Sequence, residues 1–218
     1  MNENYSIKCE EIIKSLQTKK RLLLHSCCGP CSSYVITYLK DYFDITILYY
    51  NPNIYPYEEY LKRKKEQIKV IKKLKKISKN NIDIRDCDYD NNKYEKKIRG
   101  LENEPEKGRR CEICYKMRME KTALEAKNNN YDYFCTTLSV SPYKNANLIN
   151  QIGKEISKKY NIEWLYSDFK KKDGYKKSII LSQQYNLYRQ NYCGCIYSKR
   201  NLSQVFNNYN KSKNNNIS

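Results

Sequence analysis

Arg21-Leu22-Leu23-Leu24-His25-Ser26-Cys27-Cys28-Gly29-Pro30-Cys31 decides the fold. Its first half is a short apolar run bounded by polar residues, the pattern of a strand buried on both faces. Residues 26–32 then read as a cysteine-rich turn, and residues 33–39 as a helix. Working outward, the same strand-then-helix unit recurs. Ile45-Thr46-Ile47-Leu48-Tyr49-Tyr50 is β-branched and aromatic and predicts a second strand, followed by a loop over residues 51–56 broken by Pro52 and Pro56. Residues 57–78 predict a long basic helix with Ile68, Ile71, Leu74 and Ile77 as its inner stripe. Further strands are expected at 82–84, 131–137 and 162–166, and further helices at 1–20, 94–101, 111–127, 145–160 and 175–185, with a charged loop over 102–110.

Five such alternations imply one α/β domain over residues 1–200, a parallel sheet covered by helices on both faces. Residues 201–218 are polar and asparagine-rich and are expected to form a disordered tail. Ligands of parallel sheets bind at the carboxyl ends of the strands. The turn holding Cys27, Cys28 and Cys31 is one such end.

The chain has 218 residues, enough for one sizeable core. No run of 18 apolar residues is present and the start lacks the pattern of a signal peptide, so the expected location is the cytosol, with no membrane partner. Forty-two basic residues against 24 acidic ones give a formal charge of +18, which favours a polyanionic partner, although lysine-rich helix faces are also ordinary solvated surface. Two stretches interleave basic and aromatic residues: Tyr55, Tyr57 and Tyr60 with Lys62, Arg63, Lys64 and Lys65, and Phe169 and Tyr175 with Lys170, Lys171, Lys172, Lys176 and Lys177. Lysines neutralise phosphates and tyrosines stack on unpaired bases.

Ten cysteines in a reducing compartment point to metal binding or redox chemistry, since structural disulfides are rare there. Cys9, Cys87 and Cys135 stand alone and read as small buried apolar groups. Cys27, Cys28 and Cys31 sit at a strand end before a helix, where backbone N–H groups and the helix dipole favour thiolates. Gly29 lets the backbone turn tightly there. Arg109-Arg110-Cys111-Glu112-Ile113-Cys114 places two thiols three residues apart on one helical face. Cys27, Cys28, Cys111 and Cys114 together would complete a four-thiolate site, which suits zinc or an iron–sulfur cluster. Zinc sites more often use two spaced pairs, and the contiguous pair here tilts the reading towards the cluster. Cys193-Gly194-Cys195 would close a very small, strained and easily reduced disulfide ring, which suits a redox pair; two more metal ligands are the other reading. His25, the one histidine, reads as a satisfied structural residue rather than a general acid. No Ser/His/Asp triad, Walker A loop or GxGxxG fingerprint is present.

Read in order, six stretches resemble the QueH family of cobalamin-independent epoxyqueuosine reductases. They are Leu22-Leu23-Leu24-His25-Ser26-Cys27-Cys28-Gly29-Pro30-Cys31, Tyr50-Asn51-Pro52-Asn53-Ile54-Tyr55-Pro56-Tyr57-Glu58-Glu59-Tyr60, Gly108-Arg109-Arg110-Cys111-Glu112-Ile113-Cys114, Thr136-Thr137-Leu138-Ser139-Val140-Ser141-Pro142-Tyr143-Lys144-Asn145, Asp168-Phe169-Lys170-Lys171-Lys172-Asp173-Gly174 and Leu187-Tyr188-Arg189-Gln190-Asn191-Tyr192-Cys193-Gly194-Cys195. Gly29 stands where alanine is common and Tyr143 where histidine is common. The resemblance implies a Rossmann-like, adenine-nucleotide-α-hydrolase-like sheet. It also implies reduction of epoxyqueuosine to queuosine at the wobble position of tRNA, the last step of queuosine biosynthesis, with electrons from an external donor. By that resemblance Cys27, Cys28, Cys111 and Cys114 hold a 4Fe-4S cluster, and Cys193 and Cys195 form a redox-active disulfide. A second, mononuclear iron is compatible with it, with Cys31 and a nearby aspartate as candidate ligands. Two other classes use the same residues: a zinc-stabilised RNA-binding module, and a metal-free thiol–disulfide oxidoreductase.

Overall fold

The computed structural model describes residues 3–77 and 81–199; the expected tail over 201–218 lies outside them. The sheet grows from β1 (Lys20–His25), whose Leu22, Leu23 and Leu24 are wholly buried. β2 (Phe43–Tyr49) and β3 (Ile82–Asp86) add on one side. β4 (Tyr133–Thr136) and β5 (Glu163–Trp164) add on the other, giving five parallel strands in the order β3-β2-β1-β4-β5. Burying both faces is what the unbroken apolar run of β1 requires. The direction of winding reverses between β1 and β4, and at such a point the loops leaving the strands diverge and open a crevice.

The helices are α1 (Tyr5–Ser15), α2 (Gly29–Leu39), α3 (Tyr57–Ile77), α4 (Asn91–Lys97), α5 (Arg109–Asn128), α6 (Ala146–Tyr160) and α7 (Gly174–Gln184). Helix α2 packs against α3 and α7, while α5 packs against α6 and lies along β1 and β4. None of the helices among the described residues is long and apolar enough to cross a membrane.

Several boundaries differ from expectation for local reasons. The first helix ends at Ser15, not residue 20, because β1 already begins at Lys20. Helix α2 starts at Gly29 rather than residue 33, since Pro30 fits a first helical turn and lacks only an N–H that has no helical partner there. Cys31 is therefore helical. Gly29 serves helix packing rather than a tight turn: a Cβ there would stand 2.8 Å from the Glu66 carbonyl oxygen of α3. Helix α4 begins at Asn91, earlier than residue 94, because Asp90 caps it by accepting from the Lys93 N–H at 3.0 Å.

The inner stripe of α3 also differs. It comprises Tyr60, Arg63, Gln67, Val70, Ile71 and Leu74, whereas Ile77 is 62% exposed. Steps of three fall short of a 3.6-residue turn, so Ile68 and Ile77 end on opposite faces of the helix. The residues that do point inwards follow steps of three and four, and two of them are polar.

Candidate metal and redox site

Ser26, Cys27 and Cys28 leave β1 at the switch point, and Cys31 follows in the first turn of α2. The turn is braced from below. The Ser26 hydroxyl donates to Gln67 Oε1 at 2.6 Å, the Ser32 hydroxyl donates to the same oxygen at 2.9 Å, and Asn51 Nδ2 donates to the Ser26 carbonyl at 2.8 Å. Buried polar groups paired in this way hold the backbone in one arrangement. Across the crevice, the Cys27 N–H donates to Thr137 Oγ1 at 3.4 Å, from the 3-10 turn Thr137–Val140 that follows β4.

The sulfurs of Cys27, Cys28 and Cys31 all lie within 4.8 Å of one another, so the three thiols can hold a metal ion. Hydrogen bonds from Cys28 and then Cys31 hold the Cys27 thiol well below its ordinary value, against the effect of burial. The same sharing with Cys27 pushes Cys28 up to about 12 and Cys31 well above the thiol range. The three thiols are thus coupled, and Cys27 is the one that ionises most readily.

Cys111 and Cys114 stand in the first turns of α5, which begins at Arg109 and so absorbs the end of the expected charged loop. They do not join the close group of Cys27, Cys28 and Cys31 among the described residues. Burial is the first cause raising both thiols, Cys114 to about 11. One turn beyond Cys114, Arg118 is 1% exposed; its Nε donates to the Cys114 carbonyl at 3.0 Å and its Nη2 meets no acceptor. Burial opposes its charge, but the neighbouring Cys114, Cys193 and Cys27 outweigh that. Partly buried Lys144, after the 3-10 turn, donates to Cys193 Sγ at 3.3 Å. Burial again opposes its charge, and Cys193 and Tyr115 hold it up. The neighbours that favour the charge of these two cations are cysteine thiols and the Tyr115 phenol. Charge alone marks both as surface residues. The available signals were an arginine four residues after an inward-facing cysteine and a lysine within the 136–145 motif.

Cys193 and Cys195 flank Gly194, whose φ of +120° only glycine adopts readily. The turn is clamped by Arg63: its Nη1 donates to the Cys193 carbonyl at 3.0 Å, and Tyr55 N–H donates to the Gly194 carbonyl at 2.9 Å. All ten cysteines are free thiols. Cys9 and Cys135 are core residues at 2% and 1% exposure, and Cys87 is partly buried against the core. His25 is fully buried; its Nε2 donates to the Tyr50 carbonyl at 3.1 Å and its Nδ1 accepts from Thr136 Oγ1 at 2.8 Å. Burial, then Arg118, pushes its pKa down to about 3, which favours the neutral ring that these two hydrogen bonds require.

Some of these residues share one cavity of about 490 Å³: Cys27, Cys31, Arg118, Tyr143, Lys144 and Cys193 are among its walls, whereas Cys28, Cys111, Cys114 and Cys195 are not. Glu106 is its acidic wall residue, and no aspartate lines it among the described residues. Much of the two basic–aromatic stretches serves the fold instead. Tyr60 packs with Tyr49 and Tyr89, Arg63 is buried with Glu59, Lys64 pairs with Asp86, Lys62 sits 3.4 Å over the Tyr188 ring and Phe169 is in the core. Tyr175 reaches the cavity wall with Arg189 over its ring at 5.2 Å.

Comparison with known proteins places the chain in a family. The family model described as "Epoxyqueuosine reductase QueH" matches residues 22–201. A protein named epoxyqueuosine reductase QueH from Staphylococcus epidermidis is 39% identical over 213 residues, covering 95% of this chain and 90% of the relative. The protein of that name from Streptococcus pyogenes is 37% identical, covering 92% and 81%. The Acinetobacter baylyi protein of that name is 41% identical, covering 84% and 83%. With a match that begins in β1 and runs through the Cys-Gly-Cys turn, this chain belongs to the epoxyqueuosine reductase QueH family.

Proposed function

We propose that this chain reduces epoxyqueuosine to queuosine at the wobble position of tRNA, the last step of queuosine biosynthesis. The observation that carries this reading is the single cavity whose walls include Cys27, Cys31 and Cys193 together with Arg118 and Lys144, at the switch point of the sheet. Removal of the epoxide oxygen as water consumes two electrons and two protons and leaves a carbon–carbon double bond. Oxidation of the Cys193 and Cys195 thiols to a disulfide releases two electrons and two protons, so the pair matches the stoichiometry. An external donor then restores the dithiol.

Cys27, Cys28, Cys111 and Cys114 are the residues that would hold the 4Fe-4S cluster. The donor set fits: all four are thiols, and buried Arg118 and partly buried Lys144 supply positive charge beside them. When bound, that group supplies one-electron transfer and Lewis acidity towards the epoxide oxygen. Cys31 is the thiol left over for a mononuclear iron, with Glu106 the acidic group nearby in place of an aspartate. Tyr143 and Tyr192 flank the approach of an unpaired anticodon base. Arg189 and Lys144 offer positive charge to its phosphates.

The test is anaerobic purification, iron and acid-labile sulfide analysis, and conversion of epoxyqueuosine in tRNA followed by nucleoside mass spectrometry. Iron with sulfide, and conversion lost together with the brown colour in Cys111→Ser, is the expected result. Zinc without iron or sulfide, or full conversion by Cys111→Ser, would overturn the reading.

A further inference from the structure

The two thiols of the Cys-Gly-Cys turn stand in unlike surroundings. Cys193 forms part of the cavity wall and receives the Lys144 ammonium at 3.3 Å. Cys195 is 6% exposed, is not part of that wall, and accepts the Ser198 N–H at 3.4 Å. Burial, then the neighbouring Cys193, pushes the Cys195 thiol up to about 12. The turn has little freedom to exchange the two, because Arg63 fixes the Cys193 carbonyl and Tyr55 the Gly194 carbonyl. Attack on a sulfur requires access, and its later release from the mixed disulfide is favoured where its negative charge is met. Of the two sulfurs, Cys193 has both.

We propose that Cys193 is the sulfur that exchanges with the external reductant, a dithiol, that Lys144 is the positioning residue that meets its charge, and that Cys195 is the resolving sulfur. This rests on the reading of the pair as a redox-active disulfide. In the oxidised chain a donor thiolate attacks Cys193 Sγ. A bond forms between the donor sulfur and Cys193, and the bond to Cys195 breaks. Cys195 leaves as a thiolate and takes a proton. The donor's second thiolate then attacks the donor sulfur of the mixed disulfide, closing the donor's own disulfide and releasing Cys193 as a thiolate beside Lys144. Two electrons pass from the donor dithiol, which is oxidised, to the Cys193–Cys195 pair, which is reduced.

The experiment uses the full chain, purified anaerobically, as Cys195→Ser and as Cys193→Ser, each exposed to glutathione disulfide, with the adduct located by peptide mass spectrometry. Cys195→Ser is expected to gain glutathione at Cys193 at least about tenfold faster than Cys193→Ser gains it at Cys195. Adding Lys144→Met to Cys195→Ser should slow the adduct about three- to tenfold, while Lys144→Arg retains most of the rate. Circular dichroism of each variant checks that the fold is kept. Equal rates at the two sulfurs, or no effect of Lys144→Met in a folded chain, would overturn the division of labour. Peptide mapping of the mildly oxidised wild-type chain separates the two readings. A Cys193–Cys195 disulfide together with equal thiol reactivity sinks only this inference, whereas no such disulfide sinks the redox-pair reading and this inference with it.

Discussion

Arg63 of α3 and Cys193 are 130 residues apart in the chain, yet Arg63 Nη1 donates to the Cys193 carbonyl at 3.0 Å. The same guanidinium donates from Nε to Glu59 at 2.6 Å and is 1% exposed. One buried arginine therefore anchors the Cys-Gly-Cys turn to the helix that also braces Ser26 through Gln67. The position of the Cys-Gly-Cys turn relative to the turn of Cys27 and Cys28 is thus set by α3.

Arg63→Met is expected to remove that anchor and strand Glu59, whose side chain is 11% exposed. Breaking a buried pair by deleting one partner costs about 3–5 kcal/mol. Arg63→Lys should recover only part of it, because an ammonium lacks the fork that reaches Glu59 and the Cys193 and Tyr192 carbonyls together. Urea unfolding measures the loss, and protease cutting between residues 185 and 199 reports release of the segment. A stability within about 0.5 kcal/mol of wild type for Arg63→Met, the level of an ordinary surface change, would refute the anchor.

His25→Phe tests the structural assignment of the single histidine. The substitution leaves the Tyr50 carbonyl and the Thr136 hydroxyl without the ring nitrogens that now pair with them. Stranding two buried polar groups costs about 2–4 kcal/mol in total. Turnover per folded molecule should stay within about twofold, whereas loss of a general acid would lower it about 10²–10⁴-fold. Measuring unfolding and turnover on the same preparation distinguishes the two roles.

The contrast between His25 and Arg118 shows what the sequence could reveal. The strand ending in His25 and the cysteine turn were legible, because an apolar run followed by Cys-Cys-Gly-Pro-Cys carries both its burial and its chemistry in residue type. The parallel α/β arrangement followed from the alternation of such runs. Arg63, Gln67, Arg118 and Lys144 were not legible as site residues. In a chain with 42 lysines and arginines, a charged side chain reads as surface, and only three-dimensional packing shows which ones are surrounded by thiols. The α3 stripe failed for a related reason: its apolar residues continue past the point where the helix has rotated away from the core, while its inward positions are filled by Arg63 and Gln67.

Tyr50 gives the chain a stability that disappears in alkali. Burial, then the nearby charges of Asp90 and Cys87, pushes its phenol up to about 12. An unfolded tyrosine ionises near pH 10. The folded chain therefore holds this proton more tightly than the unfolded chain does. The associated stability is fully present below about pH 10 and is lost as pH rises through about 12. Urea midpoints taken between pH 9 and 11.5 should fall, and Tyr50→Phe should fall less steeply because one of the late-ionising groups is gone. Parallel pH profiles for the two chains would contradict this assignment.

Tyr143 is where recognition of an unpaired base is most directly testable. It lies at the cavity wall beside Lys144 and is 64% exposed, the most exposed of the large hydrophobic side chains among the described residues. A ring at the mouth of a basic cavity can stack on a base brought to it, and such a contact is worth about 1–3 kcal/mol, roughly five- to 150-fold in affinity. Tyr143→Ala should weaken binding of tRNA by a factor in that range at fixed salt. Tyr143→Phe and Tyr143→Trp should bind within about twofold of wild type, because stacking uses the ring face and not the hydroxyl. The dependence on salt should be unchanged in all three variants, since none of them removes a phosphate contact. If Tyr143→Ala binds tRNA as tightly as the native chain, the base does not stack at this wall; if Tyr143→Phe is as weak as Tyr143→Ala, a hydrogen bond from the hydroxyl and not stacking makes the contact.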